Sequence, residues 1–157
     1  MSGTNILGGA LRSVPVMAIG VALCFATNWP ASAHDEKDPR HKAMTGLAHS
    51  MKAISQTLKS GAAIDDDTGR HAAAIAETSA RMLALFPQGS GGHHGRAKPE
   101  IWSDWAGFAA KAEDMEAAAD DLVDAVGIGD PAAVGAALKA VGATCGGCHD
   151  LYRKPKK

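Results

Sequence analysis

Residues 145–149 read Cys-Gly-Gly-Cys-His, which places two thiols and an imidazole within five consecutive positions. On a helix, Cys145 and Cys148 lie on one face because residues three and four apart are neighbours, and His149 belongs to the same surface. C-x-x-C-H is the attachment signature of c-type haem, in which each thiol forms a thioether with a porphyrin vinyl group. The imidazole can then reach the porphyrin iron. The spacing therefore predicts one covalent haem, with His149 as an iron ligand.

Three other kinds of site use the same residue types. A redox dithiol is expected in a thioredoxin-like βαβ context, and the sequence shows no such pattern. A zinc site needs about four ligands; His93 and His94 offer a second pair, but they stand in a glycine-rich stretch. A plain disulfide between the two cysteines is the third alternative. We favour haem because the spacing, the adjacent histidine and the export signal described next agree.

The first 33 residues have the pattern of a secretory signal peptide. Arg12 is followed by an apolar run from about Val14 to Thr27, and the segment closes with Ala31-Ser32-Ala33. A basic start, a short apolar core and an A-x-A end favour cleavage after Ala33, and a retained membrane anchor is the alternative. We therefore expect residues 1–33 to be removed. Residues 34–157 then form one periplasmic domain that does not insert into the membrane.

The elements that must position the motif are four predicted helices. Apolar residues recur at steps of three and four in each of them, and proline or glycine separates them. The predicted helices run from about Asp38 to Lys59, Asp66 to Leu85, Lys98 to Val126, and Asp130 to Arg153. Four amphipathic helices with mostly short connections predict an all-α protein, an antiparallel four-helix bundle. Many core positions are alanine, so the interior is underfilled, and a bound haem would supply the missing volume.

The position of the motif restricts the family. Only eight residues follow His149, and they contain neither methionine nor histidine, so any second iron ligand must come from another helix. The chain resembles the class II c-type cytochromes, the cytochrome c′ family, in several separated segments. These are "RHKAM" at 40–44, "MKAISQTLK" at 51–59, "LFPQGSGG" at 85–92, "KPEIWSDWAGF" at 98–108 and "GATCGGCHDLYRK" at 142–154.

The resemblance implies a role for six residues. Cys145 and Cys148 would bind one haem c, and His149 would be the proximal iron ligand. Met44 falls at the distal position, Arg40 matches an arginine that pairs with a haem propionate, and Arg153 matches a basic residue near the proximal face. Simpler roles are core packing for Met44, first-turn exposure for Arg40, and helix C-terminal electrostatics for Arg153. His41, His49 and His71 are expected at the surface, and His41, one turn before Met44, is also a substitute ligand to consider.

The family resemblance implies one of two functions. If Met44 binds the iron, the protein carries single electrons; if it only packs nearby, the five-coordinate, high-spin haem binds nitric oxide or carbon monoxide. We expect the electron carrier, with gas binding as the alternative, and no enzymatic activity, because no acid–base pair or nucleophile accompanies the motif. A redox protein or a small gas is the expected partner, and a homodimer and a monomer are both open. The net charge of -1 gives no sign of a nucleic-acid partner.

Overall fold

The computed structural model describes residues 38–91 and 95–155. The predicted signal peptide, its cleavage after Ala33 and the pair at 93–94 lie outside these residues and stay predictions. Among the described helices, none has both the length and the apolar composition that a membrane span requires.

The first two helices begin at aspartate caps. Helix α1 covers Pro39–Ser60, with the Asp38 side chain accepting from the Arg40 backbone N–H at 3.0 Å. Gly61 ends it in the left-handed conformation, with φ of 68°. Helix α2 covers Asp66–Ala80, and the Asp65 side chain accepts from the backbone N–H of Thr68 at 2.9 Å. These boundaries confirm the predicted starts, since an oxygen at the N-cap satisfies a free helical N–H group.

The predicted end of the second helix is wrong by five residues. Helix α2 ends at Ala80 rather than Leu85, and a 3₁₀ turn follows at Leu83–Leu85. Pro87 has no N–H group and restricts the residue before it, so the chain leaves the α-helix ahead of it. The indole N–H of Trp102 donates to the carbonyls of Phe86 and Pro87, at 3.2 and 2.9 Å. At the end of α2 itself, the carbonyls of Thr78 and Ser79 accept from the backbone N–H groups of Arg81 and Met82, at 3.3 and 2.9 Å.

The predicted third helix is two helices. Helix α3 is a single turn, Glu100–Ser103, and α4 covers Trp105–Ile128. Asp104 separates them with φ of −120° and ψ of 55°, and its side chain accepts from the Gly107 backbone N–H at 3.2 Å. The break exists because Asp104 acts as the N-cap of α4, a role that requires non-helical backbone angles.

Helix α5 carries the C-x-x-C-H motif. It covers Pro131–Tyr152, and the Asp130 carboxylate accepts from the backbone N–H groups of Ala132 and Ala133, both at 3.2 Å. Residues 95–98 pair with its C-terminal end through an isolated β-bridge between Ala97 and Arg153.

The four long helices form the predicted antiparallel bundle. Helix α4 packs extensively against α2 and α5, and α1 against α2, whereas α1 and α5 touch only sparsely. The larger fully buried side chains are Ile54, Ile75, Ile101, Leu122, Val134 and Val141. The sparse contact between α1 and α5 leaves a cleft beside the C-terminal half of α5.

Candidate functional site

The cleft between α1 and α5 is a cavity of about 810 Å³. All six side chains predicted for the site line it, namely Arg40, Met44, Cys145, Cys148, His149 and Arg153. The rest of its wall is mostly apolar and comes from α1, α4 and the segment after α2, including Leu47, Met51, Met82, Phe86, Ile101, Phe108 and Met115. This volume lies within the range of about 300–1,000 Å³ typical of pockets for small molecules and cofactors. The prediction of an underfilled interior is therefore confirmed.

The two thiols lie on the cavity wall as free cysteines. Cys145 and Cys148 are half-buried and pack against the core. Burial raises the pKa of Cys145, and burial together with the negative charge of the Cys145 thiolate raises the pKa of Cys148. Both thiols therefore ionise less readily than an ordinary cysteine, although Lys111 partly offsets the effect at Cys148.

The imidazole of His149 is held neutral by its surroundings. Burial lowers its pKa, and the charges of Arg153 and then Arg96 lower the pKa further, against a smaller opposite effect of Asp150. A neutral imidazole is the form that binds a metal ion. The electrostatics of the site therefore suit His149 to an iron-ligating role.

The contact between Arg153 and His149 bears on which nitrogen of the imidazole carries the proton. The Arg153 Nη1 lies 3.3 Å from the Nδ1 of His149. A guanidinium only donates, so Nδ1 accepts here and the imidazole proton is on Nε2. A haem iron held at Nε2 would leave the imidazole proton on Nδ1, where it could not accept from Arg153. Arg153 would then lose this contact, and its guanidinium would be available to an anionic group.

The cavity holds more thioethers than the sequence pattern singled out. Met44 is half-buried on α1, and Met51, Met82 and Met115 line the same cavity. Spacing did not distinguish Met44 from the other methionines; the resemblance to the family did, because Met44 falls at the distal position. Met115 lies three and four residues from other apolar positions of α4, Ala112 and Ala119, so the apolar spacing indicated a buried position for it. His41 is exposed and also lines the cavity, which keeps it a candidate substitute ligand.

Arg40 is packed rather than free. Its Nη2 donates to the carbonyl of Ser90 at 2.8 Å, and its guanidinium carbon lies 5.3 Å from the centre of the Phe86 ring. Its Nε is 3.9 Å from an Asp38 carboxylate oxygen, and 21% of its side chain is exposed. This rules out the simple interpretation of Arg40 as an exposed first-turn residue. It lies at the cavity edge with several donors still free, because a guanidinium carries five.

Residues 95–98 contribute side chains that sequence reasoning missed. The backbone N–H of Lys98 donates to the Tyr152 carbonyl at 3.0 Å, and that of Lys154 donates to the Arg96 carbonyl at 2.7 Å. This pairing brings Arg96 to the wall of the cavity, beside Arg153. Arg96 stands in a segment without helical periodicity, so no pattern in the sequence indicated its position.

An aromatic cluster closes one side of the cavity. Phe108 lies between Phe86 and Tyr152, with ring centres 4.9 and 5.4 Å away and both contacts edge-on. The Tyr152 hydroxyl donates to the Asp104 carboxylate at 2.6 Å, and that bond raises the pKa of Tyr152 to about 12. This hydrogen bond joins the end of α5 to the start of α4 and so holds the part of α5 that carries the motif against α4.

Two histidines outside the cavity, His49 and His71, differ in burial. His49 is exposed as predicted, but His71 is half-buried, because its Nδ1 lies 3.2 Å from the Oγ of the buried Ser50. The prediction of a surface position is therefore confirmed for His49 and only in part for His71, 21% of whose side chain is exposed. Within residues 38–91 and 95–155, no three His, Cys, Asp or Glu side chains converge as a group that could hold a metal ion by itself.

The residues present fit a covalent haem. The described site offers two adjacent thiols, a neutral imidazole beside them and a largely apolar cavity in contact with all three. These are the groups that thioether attachment, axial ligation and burial of a porphyrin require.

The chain is similar in sequence to known proteins over nearly its whole length. A family model described as Cytochrome C' matches residues 35–153. The cytochrome c' of Rhodospirillum rubrum is 34% identical over 142 residues, which covers 88% of this chain and 97% of the relative.

Solved structures have the same fold. A nitric oxide complex of a variant of cytochrome c prime from Alcaligenes xylosoxidans superposes with a TM-score of 0.68 at 35% identity, covering 74% of this chain and 91% of that one. A cytochrome c' described as having an unusual ligand-controlled dimer dissociation gives a TM-score of 0.69 at 26% identity, covering 74% and 92% of the two chains.

Proposed function

Because the chain belongs to the cytochrome c′ family, whose members bind covalently attached haem c, we propose that it is a periplasmic cytochrome that carries single electrons. The observation that carries the proposal is that one cavity is lined by Cys145, Cys148, His149 and Met44 together. A haem bound there supplies an iron that exchanges one electron between Fe(II) and Fe(III).

Each residue of the site has a part in this proposal. Cys145 and Cys148 anchor the haem through thioethers, and His149, kept neutral by burial and two arginines, binds the iron. Met44 from α1 is the candidate second ligand, and a thioether ligand raises the reduction potential. Arg153, released from Nδ1, and Arg40, already at the cavity edge, are placed to pair with the propionates.

We propose a non-enzymatic role. On the α1 side the cavity wall is formed largely by Met44, Leu47, Ala48 and Met51, with His41 and Arg40 at its N-terminal end. A peroxidase would need a polar distal pocket, whereas the side chains of this wall are mainly apolar. A wall of this kind excludes water from the iron more readily than it delivers protons to it.

The export signal supports the proposed location. The basic residue, apolar run and A-x-A end of residues 1–33 favour translocation and cleavage after Ala33, which leaves the domain of residues 34–157 in the periplasm. To test this part of the proposal, the protein is isolated from the periplasmic fraction, and its mass and its covalently attached haem are measured.

Gas binding is the second candidate, and one observation favours it. The similar protein from Alcaligenes xylosoxidans is described as a nitric oxide complex. If Met44 only packs beside the iron, the open coordination position would take nitric oxide or carbon monoxide.

Self-association is linked to gas binding, because another similar protein is described as having ligand-controlled dimer dissociation. Sedimentation of this protein with and without carbon monoxide tests whether it forms such a dimer.

Visible spectroscopy separates the two candidates. We expect the ferrous protein to show sharp α and β bands of a low-spin haem that carbon monoxide leaves unchanged, and Met44→Ala to convert them to a broad high-spin spectrum. Met51→Ala, which removes a thioether from the same cavity two turns along α1, is the matched control and should leave the bands sharp. A wild-type spectrum that is broad and shifts with carbon monoxide would favour gas binding. Low-spin bands that survive Met44→Ala would exclude Met44 as a ligand.

A further inference from the structure

Four basic side chains meet where residues 95–98 pair with the end of α5. These residues are Arg96, Lys98, Arg153 and Lys154, and we refer to them as the basic patch. Arg96 donates twice to the Lys154 carbonyl, at 2.8 and 3.0 Å, and the Lys98 ammonium donates to the Leu151 carbonyl at 2.8 Å and to the Asp150 carbonyl at 3.2 Å. All four side chains are at least partly exposed. The backbone therefore holds the four cations together at one end of the bundle.

The charges of the basic patch are not neutralised by carboxylates. Elsewhere, Arg70 pairs with Asp67 at 2.6 Å and Lys111 with Asp114 at 2.7 Å. Within the described residues, the patch forms no such ion pair, and its hydrogen bonds end on backbone carbonyls and on His149. The end of a helix offsets only about half a unit of charge. Residues 95–104 and 149–157 contain six basic and three acidic side chains, so the excess of positive charge is a property of the sequence as well.

The basic patch borders the cavity. Arg96 and Arg153 line it directly, and Lys98 and Lys154 are their neighbours in the same pairing. Two propionates of a bound haem would offset two of the four charges at most. At least two cations of the basic patch are therefore left for other anionic groups.

The opposite charge lies along α4. Residues 105–128 contain six acidic side chains and one basic one, Lys111, which is already paired with Asp114. The acidic residues, Glu113 to Asp124, stand about 12 to 28 Å along the helix axis from its N-terminus, which the Tyr152–Asp104 hydrogen bond joins to the patch. This exceeds the Debye length of about 8 Å at physiological ionic strength. An approaching partner therefore interacts with the basic patch and with the acidic residues of α4 as two distinct charged regions.

We propose that the basic patch is the docking surface for an acidic redox partner protein, which it orients with its own redox group toward the cavity. The proposal rests on the electron-carrier function proposed above and adds to it the chemistry of the partner. Complementary charge of this kind steers association and raises its rate by factors of about 10 to 1,000. A partner with a basic surface would be steered toward α4 instead.

A stopped-flow experiment on the haem-loaded protein tests the proposal. The probe is a reduced plant-type ferredoxin, chosen for its acidic surface, and photoreduced lumiflavin serves as an uncharged electron donor. We compare the wild type with Lys98→Gln/Lys154→Gln and with Lys59→Gln/Lys139→Gln. The second pair removes the same charge from exposed residues toward the other end of the bundle. Glutamine keeps a donor at position 98 for the α5 carbonyls.

The expected result has two parts. The ferredoxin rate of the wild type falls as ionic strength rises, and at about 10 mM the patch variant is slower by roughly 3- to 10-fold while the control pair matches the wild type. Lumiflavin reduces all three equally. A wild-type rate that is constant or rises with salt overturns the proposal, as does an equal loss in the control pair. Absence of a haem spectrum, or no reduction by lumiflavin, would instead contradict the electron-carrier function itself.

Discussion

Gly107→Ala should destabilise the protein, although the same substitution in a helix ordinarily does the opposite. Alanine is favoured over glycine inside a helix by about 0.5–1 kcal/mol. At position 107, however, a Cβ would overlap the Asp104 carboxylate and lie 2.7 Å from the Tyr152 hydroxyl oxygen. Crowding of this kind costs about 1–3 kcal/mol, and relieving it by moving Asp104 would forfeit the α4 cap. We therefore expect a net loss of about 1–2 kcal/mol.

Denaturation of the haem-loaded protein followed by far-UV circular dichroism measures this effect. The expected loss corresponds to a fall in Tm of about 4–8 °C. Gly69→Ala is the matched control, because Gly69 lies in α2 and a Cβ there would meet no neighbouring side chain within 4 Å. That substitution should raise the stability by about 0.5–1 kcal/mol. If Gly107→Ala proved as stable as Gly69→Ala, the packing described for Asp104 and Tyr152 would be refuted.

Three further predictions concern the rest of the bundle. Tyr152 is the single tyrosine of the chain, so its phenolate absorbance, taken as a difference from Tyr152→Phe, should titrate near the pKa of about 12, and Asp104→Asn should lower that pKa. Because the folded pKa is raised above the ordinary value of 10.0, this group's contribution to stability is complete below about pH 10 and lost as the pH rises toward 12. Asp65, whose pKa is lowered by its hydrogen bonds to Thr68, stabilises the fold above its ordinary pKa of 3.8, and Asp65→Ala should flatten the loss of Tm on acidification below that value. Ile75→Ala, at a fully buried position outside the cavity, should cost about 2–5 kcal/mol in denaturant unfolding without changing the visible spectrum.

The sequence pattern predicted the long helices because their signals are local. Aspartate caps and glycine or proline stops mark three of the four long helices, and the structure places those boundaries within one residue of the prediction at most ends. The break at Asp104 was missed because the apolar spacing of Ile101, Trp105 and Phe108 continues through it. Asp104 breaks the helix as the N-cap of α4, and its carboxylate accepts from the Tyr152 hydroxyl, a contact with the other end of the chain that leaves no trace in a local pattern.

The site was predictable in its covalent and ligating groups and less so in its walls. Cys145, Cys148 and His149 form a contiguous motif, so their common place on one cavity follows from helical geometry. Arg96 reaches the same cavity through backbone pairing with Lys154, which no spacing rule anticipates. Whether Met44 bonds the iron depends on small shifts of α1 relative to α5. The spacing of residues in the sequence does not determine such shifts.

Mass spectrometry of the protein isolated from the periplasm shows whether a haem is covalently bound to the cavity, on which every functional proposal depends. We predict a single species with the mass of residues 34–157 plus one haem, resistant to haem extraction by acid and butanone because two thioethers hold the porphyrin. Cys145→Ala and Cys148→Ala should each leave a haem held by the one remaining sulfur. A mass equal to the polypeptide alone, with the two sulfurs free or joined to each other, would contradict covalent haem attachment.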